Sequence, residues 1–471
     1  MSDAERPTER AAARAAELAD AAVGTVTDRT WGSALSRLGP WADELDHVRS
    51  LPAAGPSGIS AGTDGPGPAA SGWALVKAAA TMATVPVTLP VLAVSARMAT
   101  ASCKNRIADF PAHLRAVAEG RPPLLPSPRN LRIPADRRYV ITSDLHRCIP
   151  GKLDWPDRQQ TKRMYASVLE TYAADGWDLV ENGDVEDYWM VGGSTWGAVY
   201  DAAGLAGTVA GPLGVSARRD VVREHLDRIV DNNAAVYGVL RDGFCADGRY
   251  HRTMGNHDDV YSDPVIVEHL ASHLPGTEMA DMLMLTAPGC GDEHGIDGIA
   301  AFVAHGHLTD SWNGPGYARL GRAVTWLATG LDDLPGLPDV DGLPDEETVE
   351  QLLRRGARNR LISLDSRFGG NRRGDSLDEE RLFSRMADHR PEVEWPWLAF
   401  GHTHFPMLWP LNQHGEKVRY ANSGCGVLRG AFSALEWEPA TEEFRLVVWV
   451  DERTGPRRVE LVPDGPTLRP A

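Results

Sequence analysis

Cysteine is scarce in this chain. There are five in 471 residues, Cys103, Cys148, Cys245, Cys290 and Cys425, odd in number, scattered, and never in a CxxC pair. That excludes a disulfide framework and a thiolate zinc site, and is the usage of free thiols in a reducing compartment. Positive charge is in deficit too: 48 Lys and Arg stand against 65 Asp and Glu, for a formal net charge of -17. A nucleic-acid backbone seeks a basic face, so no polymer of that kind is expected as a partner. A small phosphorylated substrate stays open, because bound cations would dominate the local field. The opening residues MSDAERPTER carry both signs of charge and no apolar stretch, so no signal peptide is expected and the expected location is cytoplasmic. No internal repeat is evident.

Hydrophobic residues make up 42% of the chain, enough for a sizeable core. Residues 7–50 read as Ala-rich helices, and 52–72 as a Gly/Pro/Ser linker. The uncharged run 78–96, flanked by Lys77 and Arg97, has the length of a bilayer span, but it is rich in Ala and Thr and broken by Pro86 and Pro90. It reads first as a packing segment, then as a membrane-surface or lid segment with 73–101 as the contact, and last as a spanning helix. The Pro-rich segment from Pro122 to Pro134 marks a second boundary. The expected division is a helical N-terminal extension over 1–130, a catalytic domain over 131–455 with an insertion at 308–396, and a C-terminal tail over 456–471.

Within the central part, 138–142, 178–181, 250–254, 299–304, 397–400, 418–421 and 444–450 read as strands. Residues 161–174 and 216–240 read as amphipathic helices. Inside the insertion, helices are expected near 316–328 and 346–360. Strands alternating with helices, then following closely on one another, indicate an α/β fold with partly mixed sheets.

Five polar blocks sit at or just past the ends of those strands: Asp144-Leu145-His146, Gly183-Asp184, Gly255-Asn256-His257-Asp258, His305-Gly306-His307 and Gly401-His402-Thr403-His404. Ligands gather at the carboxyl ends of strands in such folds. Asp144 and His146 have i, i+2 spacing, as do His402 and His404; in an extended chain such residues point to the same side. Asp184 follows a glycine, and its two oxygens can bridge two ions. Asn256 adds an amide oxygen, and His305, His402 and His404 add imidazoles. Oxygen and imidazole ligands together suit Mn, Fe, Zn or Ni better than Ca. A lone His-x-His or Gly-Asp would mean little. Five such blocks in register with strand ends define a candidate centre for two divalent metal ions.

At this point the chain resembles the calcineurin-like metallophosphoesterase superfamily, whose pattern D-x-H, G-D, G-N-H-D/E, H, G-H-x-H is matched at every position over about residues 137–430. The resemblance implies a four-layer sandwich of two mixed β-sheets flanked by helices. It implies Asp144, His146 and His404 on one metal, Asn256, His305 and His402 on the other, and Asp184 between them. It implies His257 as the group that protonates the leaving oxygen, with Asp258 orienting it. It implies in-line attack on phosphorus by a hydroxide bridging the metals. Asn422-Ser423-Gly424 resembles the structural Asn-x-Gly turn that often follows the last motif. His307 reads as support for a ligand or as a ligand itself, and Cys148 as a packing residue or a neighbour of the metals.

The leaving group is less constrained. Protein Ser/Thr phosphatases of that superfamily carry G-D-x-V-D-R-G, and the arginine is missing from Gly183-Asp184-Val185-Glu186-Asp187-Tyr188-Trp189. This run is similar to the G-D-x-x-D-x-W pattern of UDP-diacylglucosamine pyrophosphohydrolases, but those enzymes tend to have Arg in the place of His257. Tyr188 and Trp189 read as core, or as a wall of the substrate site. Arg372 and Arg373 read as solvated loop charges, or as a grip on a second phosphate. The leading expectation is a dinuclear-metal hydrolase of a small phosphomonoester, phosphodiester or pyrophosphate. The alternatives are a membrane-surface nucleotide-sugar or lipid-linked pyrophosphatase, and a catalytically silent interaction module on the same fold.

Overall fold

Side chains alternate between the two faces of a strand, and here both faces are apolar. In the strand Tyr139–Thr142, Tyr139 and Ile141 join one buried cluster and Val140 joins another. Ala431–Glu438 divides the same way, Leu435 and Trp437 against Phe432 and Ala434. So does Glu443–Glu452, with Phe444, Leu446 and Val448 against Val447 and Trp449. A sheet built of such strands is covered on both sides.

The computed structural model describes residues 101–151, 161–191, 211–310, 394–410, 416–428, 430–464 and 467–471, with 154, 156, 313–314, 381–383 and 385–386 besides. Its helices are α1 (101–118), α2 (Lys162–Ala174), α3 (Gly211–Asn232), α4 (Ala234–Val239) and α5 (Pro264–His273). Its strands are β1 (Asn130–Pro134), β2 (Tyr139–Thr142), β3 (Asp178–Asn182), β4 (Tyr250–Thr253), β5 (Met279–Ala280), β6 (Met282–Thr286), β7 (Ile299–Val303), β8 (Trp397–Phe400), β9 (Pro406–Leu408), β10 (Tyr420–Ser423), β11 (Ala431–Glu438), β12 (Glu443–Glu452), β13 (Gly455–Asp464) and β14 (Thr467–Pro470).

The fold is α/β with two mixed sheets. One has six strands in the order β1-β6-β7-β8-β10-β9, with β6/β7 and β9/β10 antiparallel and the rest parallel. The other has eight, β14-β13-β12-β11-β2-β3-β4-β5. In it β2 to β5 run parallel and β11 to β14 form an antiparallel meander. The sheets meet through residues such as Trp397 of β8 and Phe444 of β12, whose rings lie 5.5 Å apart. Helices α2 to α5 cover the outer face of the eight-stranded sheet. The face of α2 expected from the sequence, Met164, Val168, Leu169 and Tyr172, is the buried one.

Three boundaries differ from expectation. Residues 101–118, assigned to the N-terminal extension, pack on the six-stranded sheet. Cys103, Ile107, Phe110, Leu114 and Val117 recur at helical spacing and are buried in its cluster, and Phe110 meets Phe400 edge-on at 6.1 Å. Truncating a buried Phe of this kind costs about 3–5 kcal/mol, so α1 is part of the folded unit. Residues 456–471, expected as a tail, carry most of β13 and all of β14, which extend the sheet beyond β12. The helix expected over 216–240 breaks at Asn233 (φ -117°), whose side-chain amide donates to the Ile229 carbonyl at 2.8 Å and competes with the helical ladder. Beyond it, α4 gives way to a π-turn over Leu240–Phe244.

The insertion sends Leu382, Phe383, Met386 and Trp395 back into the core shared with α1. The expected helices at 7–50, 316–328 and 346–360, the linker 52–72, the apolar run 78–96, the contact 73–101 apart from its last residue, and Arg372-Arg373 lie outside the described residues. Among the described residues no helix is long and apolar enough to cross a membrane.

Candidate metal centre

The five blocks meet where the two sheets present their strand ends together. The eight-stranded sheet supplies the loops after β2, β3 and β4, and the six-stranded sheet those after β7 and β8. Hydrogen bonds join the loops across the gap. Asp144 N donates to Gly183 O at 3.0 Å and His146 N to Asp184 O at 3.0 Å. Asn182 Nδ2 donates to Ala304 O at 3.0 Å, and Gly401 N to His305 O at 3.0 Å. Asn422 Nδ2 donates to Gly401 O at 2.8 Å, while its Oδ1 accepts from Gly424 N at 2.9 Å, a turn that holds the last loop.

Of seven non-glycine residues with positive φ among the described residues, five are candidate ligands: Asp144 (51°), His146 (45°), Asp184 (51°), His402 (68°) and His404 (57°). Each such conformation costs about 1–3 kcal/mol, persists only where the surroundings impose it, and clusters at functional sites. The i, i+2 expectation therefore needs correcting in its cause. Asp144 and His146 do converge, but through left-handed backbone rather than an extended chain. His402 and His404 part company and join different groups.

One group is Asp144, His146 and His404; another is Asp184, His305 and His402; a third joins His146, Asp184 and His257. Within each, the ligand-type atoms lie within 4.8 Å of one another. Asp184 thus belongs to one outer group and is joined through the third to His146 of the other. His146 Nε2 and His404 Nε2 are 3.1 Å apart, and His404 Nε2 is 3.2 Å from Asp144 Oδ1. His305 Nε2 is 3.2 Å from Asp184 Oδ2 and 4.0 Å from Asp144 Oδ1. Asn256 Oδ1, Asp144 Oδ1 and His305 Nε2 are buried, yet none makes a well-formed hydrogen bond among the described residues. Asp144 Oδ1 and His305 Nε2, buried 4.0 Å apart without bonding, fit a cation lying between them. Oxygen and imidazole donors in this mixture are suited to a divalent transition metal.

The glycines of the motifs are steric requirements. Gly183 has φ 78°, and a Cβ there would come within 2.5 Å of the His305 ring. At Gly255 a Cβ would collide with Asp184 itself. Asp184 Oδ1 also accepts from His257 N at 2.8 Å, and Asp144 Oδ2 from His402 N at 2.9 Å.

Burial works to raise the Asp184 carboxyl, but His305, His257 and His146 hold it well below the usual carboxylate range. Asp144 is lowered in the same way, burial being outweighed by His404 and His305. For His305 burial opposes the charged form, yet Asp184 and Asp144 push it up to about 10. Burial, with His305 and His402 nearby, takes His307 down to about 3. His307 belongs to none of the three groups; its ring lies behind His305 at 5.5 Å.

Asp258 does not orient His257. Its carboxylate turns inward and accepts from Gly255 N at 2.5 Å and Val185 N at 3.1 Å, with Arg252 Nη2 at 3.4 Å. Burial pushes it up to about 7 against the pull of Arg252. The acid facing His257 is Asp187. Its Oδ2 takes His257 Nδ1 at 3.0 Å and His146 Nδ1 at 2.8 Å, while its Oδ1 accepts from Trp189 N and Met190 N, both at 2.8 Å. Residues adjacent in a tight turn diverge, whereas the loop after β3 folds back under both rings.

Tyr188 and Trp189 have separate places. Tyr188 is core, its hydroxyl 3.1 Å from that of Tyr261. Trp189 stacks on the His257 ring at 4.5 Å and 27°. Cys148 Sγ donates to Met190 O at 3.1 Å, and burial pushes the thiol well up, so it is a packing residue.

Two features of the site were not legible as such. Asp310 Oδ2 meets His402 Nε2 at 2.6 Å, and Arg106 of α1 holds that loop through the carbonyls of Leu308 (2.7 Å) and Asp310. Beneath the loops a fully buried set of Arg147, Glu181, Glu186 and Arg252 is closed by tyrosines. Glu181 pairs with Arg147 and accepts from Tyr250 at 2.6 Å; Glu186 pairs with Arg252 and accepts from Tyr261 at 2.9 Å. This layer braces the segments that carry His146, Asp184 and Asn256. No family model matches the chain, and no curated protein is significantly similar to it.

Proposed function

We propose that this chain is a metal-dependent phosphoesterase of the calcineurin-like metallophosphoesterase kind, hydrolysing a small phosphomonoester, phosphodiester or pyrophosphate. What supports the reading is that ligand-type residues from all five motif blocks fall in three overlapping groups, two of which contain Asp184. In this reading Asp144, His146 and His404 hold one divalent cation, Asn256, His305 and His402 hold a second, and Asp184 is shared. The pair would supply charge neutralisation at phosphorus and an activated water.

The chain's own residues account for the remaining chemistry. With its Nδ1 proton on Asp187, His146 has its Nε2 lone pair directed at the ligand group. With the same carboxylate on its Nδ1, His257 is fixed in place, and Nε2 would be the position from which a proton reaches the leaving oxygen. Trp189, flat against the ring, restricts its rotation and excludes water from one face. Asp187 thus fixes a ligand and the acid at once.

His257→Ala in the Mn-loaded full chain tests the assignment. Turnover of an aryl phosphate should fall by about 10²–10⁴-fold while metal content is kept. Loss of metal, or unchanged turnover, would refute the role. A substrate panel of phosphomonoesters, cyclic nucleotides, bis-aryl diesters and nucleotide-sugar pyrophosphates identifies the ester class. Hydrolysis of none of them would count against the reading as a whole.

A further inference from the structure

Helices α3 and α5 carry a second convergence of ligand-type side chains, apart from the centre described above. His269 and His273 are one turn apart on α5, so their rings leave the same face. Both Nε2 atoms lie 2.8 Å from one oxygen, Asp227 Oδ1 of α3. The rings stand edge to face at 5.3 Å and 86°, and the three ligand atoms fall within 4.8 Å of one another. The side chains of Asp227, His269 and His273 are 46%, 24% and 27% exposed, so an ion from solvent can reach them.

We propose that Asp227, His269 and His273 form a separate site for one zinc-class divalent cation, which staples α3 to α5. Two imidazoles and a carboxylate are a borderline ligand set that suits Zn, Co or Ni rather than Ca or Mg. Ligands about 2.0–2.2 Å from a tetrahedral ion stand roughly 3.3–3.5 Å apart, so the 2.8 Å separations need to open by only about 0.5 Å. Partly exposed side chains on the helix surface can make that adjustment. Without an ion, two ring donors compete for a single carboxylate oxygen. With one, each nitrogen and the oxygen gain their own bond, and water completes the shell. The backbone cost is already met, because both histidines sit on one helix turn and the other end of the contact is clamped by Arg219 and Asp263 at 2.6 Å. Asp263 also caps α5, accepting from Val265 N at 3.1 Å, and α5 follows directly on the segment that bears Asn256 and His257. The staple therefore anchors the helix behind that loop.

The test counts zinc in the full chain after chelator stripping, reloading with Zn²⁺ and removal of unbound metal. His269→Gln/His273→Gln keeps amide donors for Asp227 but removes the imidazole ligands. It should retain one zinc equivalent fewer than the parent and lose part of the zinc-induced rise in Tm. Equal zinc content in the two proteins would overturn the site. Should the double variant not fold, Asp227→Asn is read the same way, and an unchanged zinc count there overturns the site equally.

Discussion

Replacing Asp187 by Asn changes one atom of a side chain whose four hydrogen-bond partners all donate. Oδ1 serves two backbone N–H groups at 2.8 Å, and Oδ2 serves two imidazole Nδ1 atoms at 2.8 and 3.0 Å. An amide has one oxygen, and the paired backbone donors cannot rotate away, so the oxygen stays with them. The NH₂ group then faces both rings and requires lone pairs on their Nδ1 atoms. Each ring proton shifts to Nε2. His146 can no longer offer Nε2 to a cation, and His257 loses its carboxylate partner. Disrupting the support of one ligand costs about 10–100-fold in metal affinity. Losing the tautomer of the acid costs about 10²–10⁴-fold in turnover, or roughly 3–5 kcal/mol of barrier. Metal analysis and aryl phosphate turnover at saturating Mn²⁺ measure the two effects separately. Burial alone would raise Asp187, but His257 and His146 hold it far below the ordinary carboxylate range. Its contribution to stability is therefore present above about pH 4 and is lost as pH falls below that. The variant should show a flatter acid limb in urea melts. Parental metal affinity and turnover together would refute the two-ring role of this carboxylate.

Gly183→Ala should destabilise the protein by at least about 1–2 kcal/mol from its left-handed backbone, and should lower metal content as the new Cβ meets His305. Urea melts and metal analysis check both, and a neutral result would contradict the packing described. His305, raised to about 10 by Asp184 and Asp144, is protonated at pH 8 in the metal-free protein. Metal uptake at pH 8 should therefore release about one proton from that ring, seen as a dependence of calorimetric heat on buffer ionisation. Without metal, the stability that His305 contributes is complete below about pH 6.5 and is lost as pH rises through 10. A metal-free protein whose Tm holds level across that range would show the ring to be neutral.

The candidate ligands were legible because each block lies immediately past a strand, and strand ends are where an α/β sheet delivers side chains. The mixed sheets followed from the order of strand-like runs. What escaped were relations between distant segments. Sequence adjacency pointed to Asp258 as the partner of His257, but the loop after β3 brings Asp187 beneath the ring. The left-handed residues carry no composition signal, since Asp and His at 144 to 146 read equally well as extended chain. Helix α1 lay hidden behind the Pro-rich boundary at 122–134, although Ile107, Phe110 and Leu114 already had the spacing of a buried face. Nothing in the sequence pairs Arg147 with Glu181 or Arg252 with Glu186, and only the tyrosines around them make their burial tolerable.

Asp184→Asn tests the central claim most directly, because Asp184 is the carboxylate that belongs to one ligand group and is linked to His146 of the other. Metal content and aryl phosphate hydrolysis of the Mn-loaded protein are measured together. A shared ligand predicts that bound metal falls and that hydrolysis is abolished. Full metal content with parental turnover would contradict the centre.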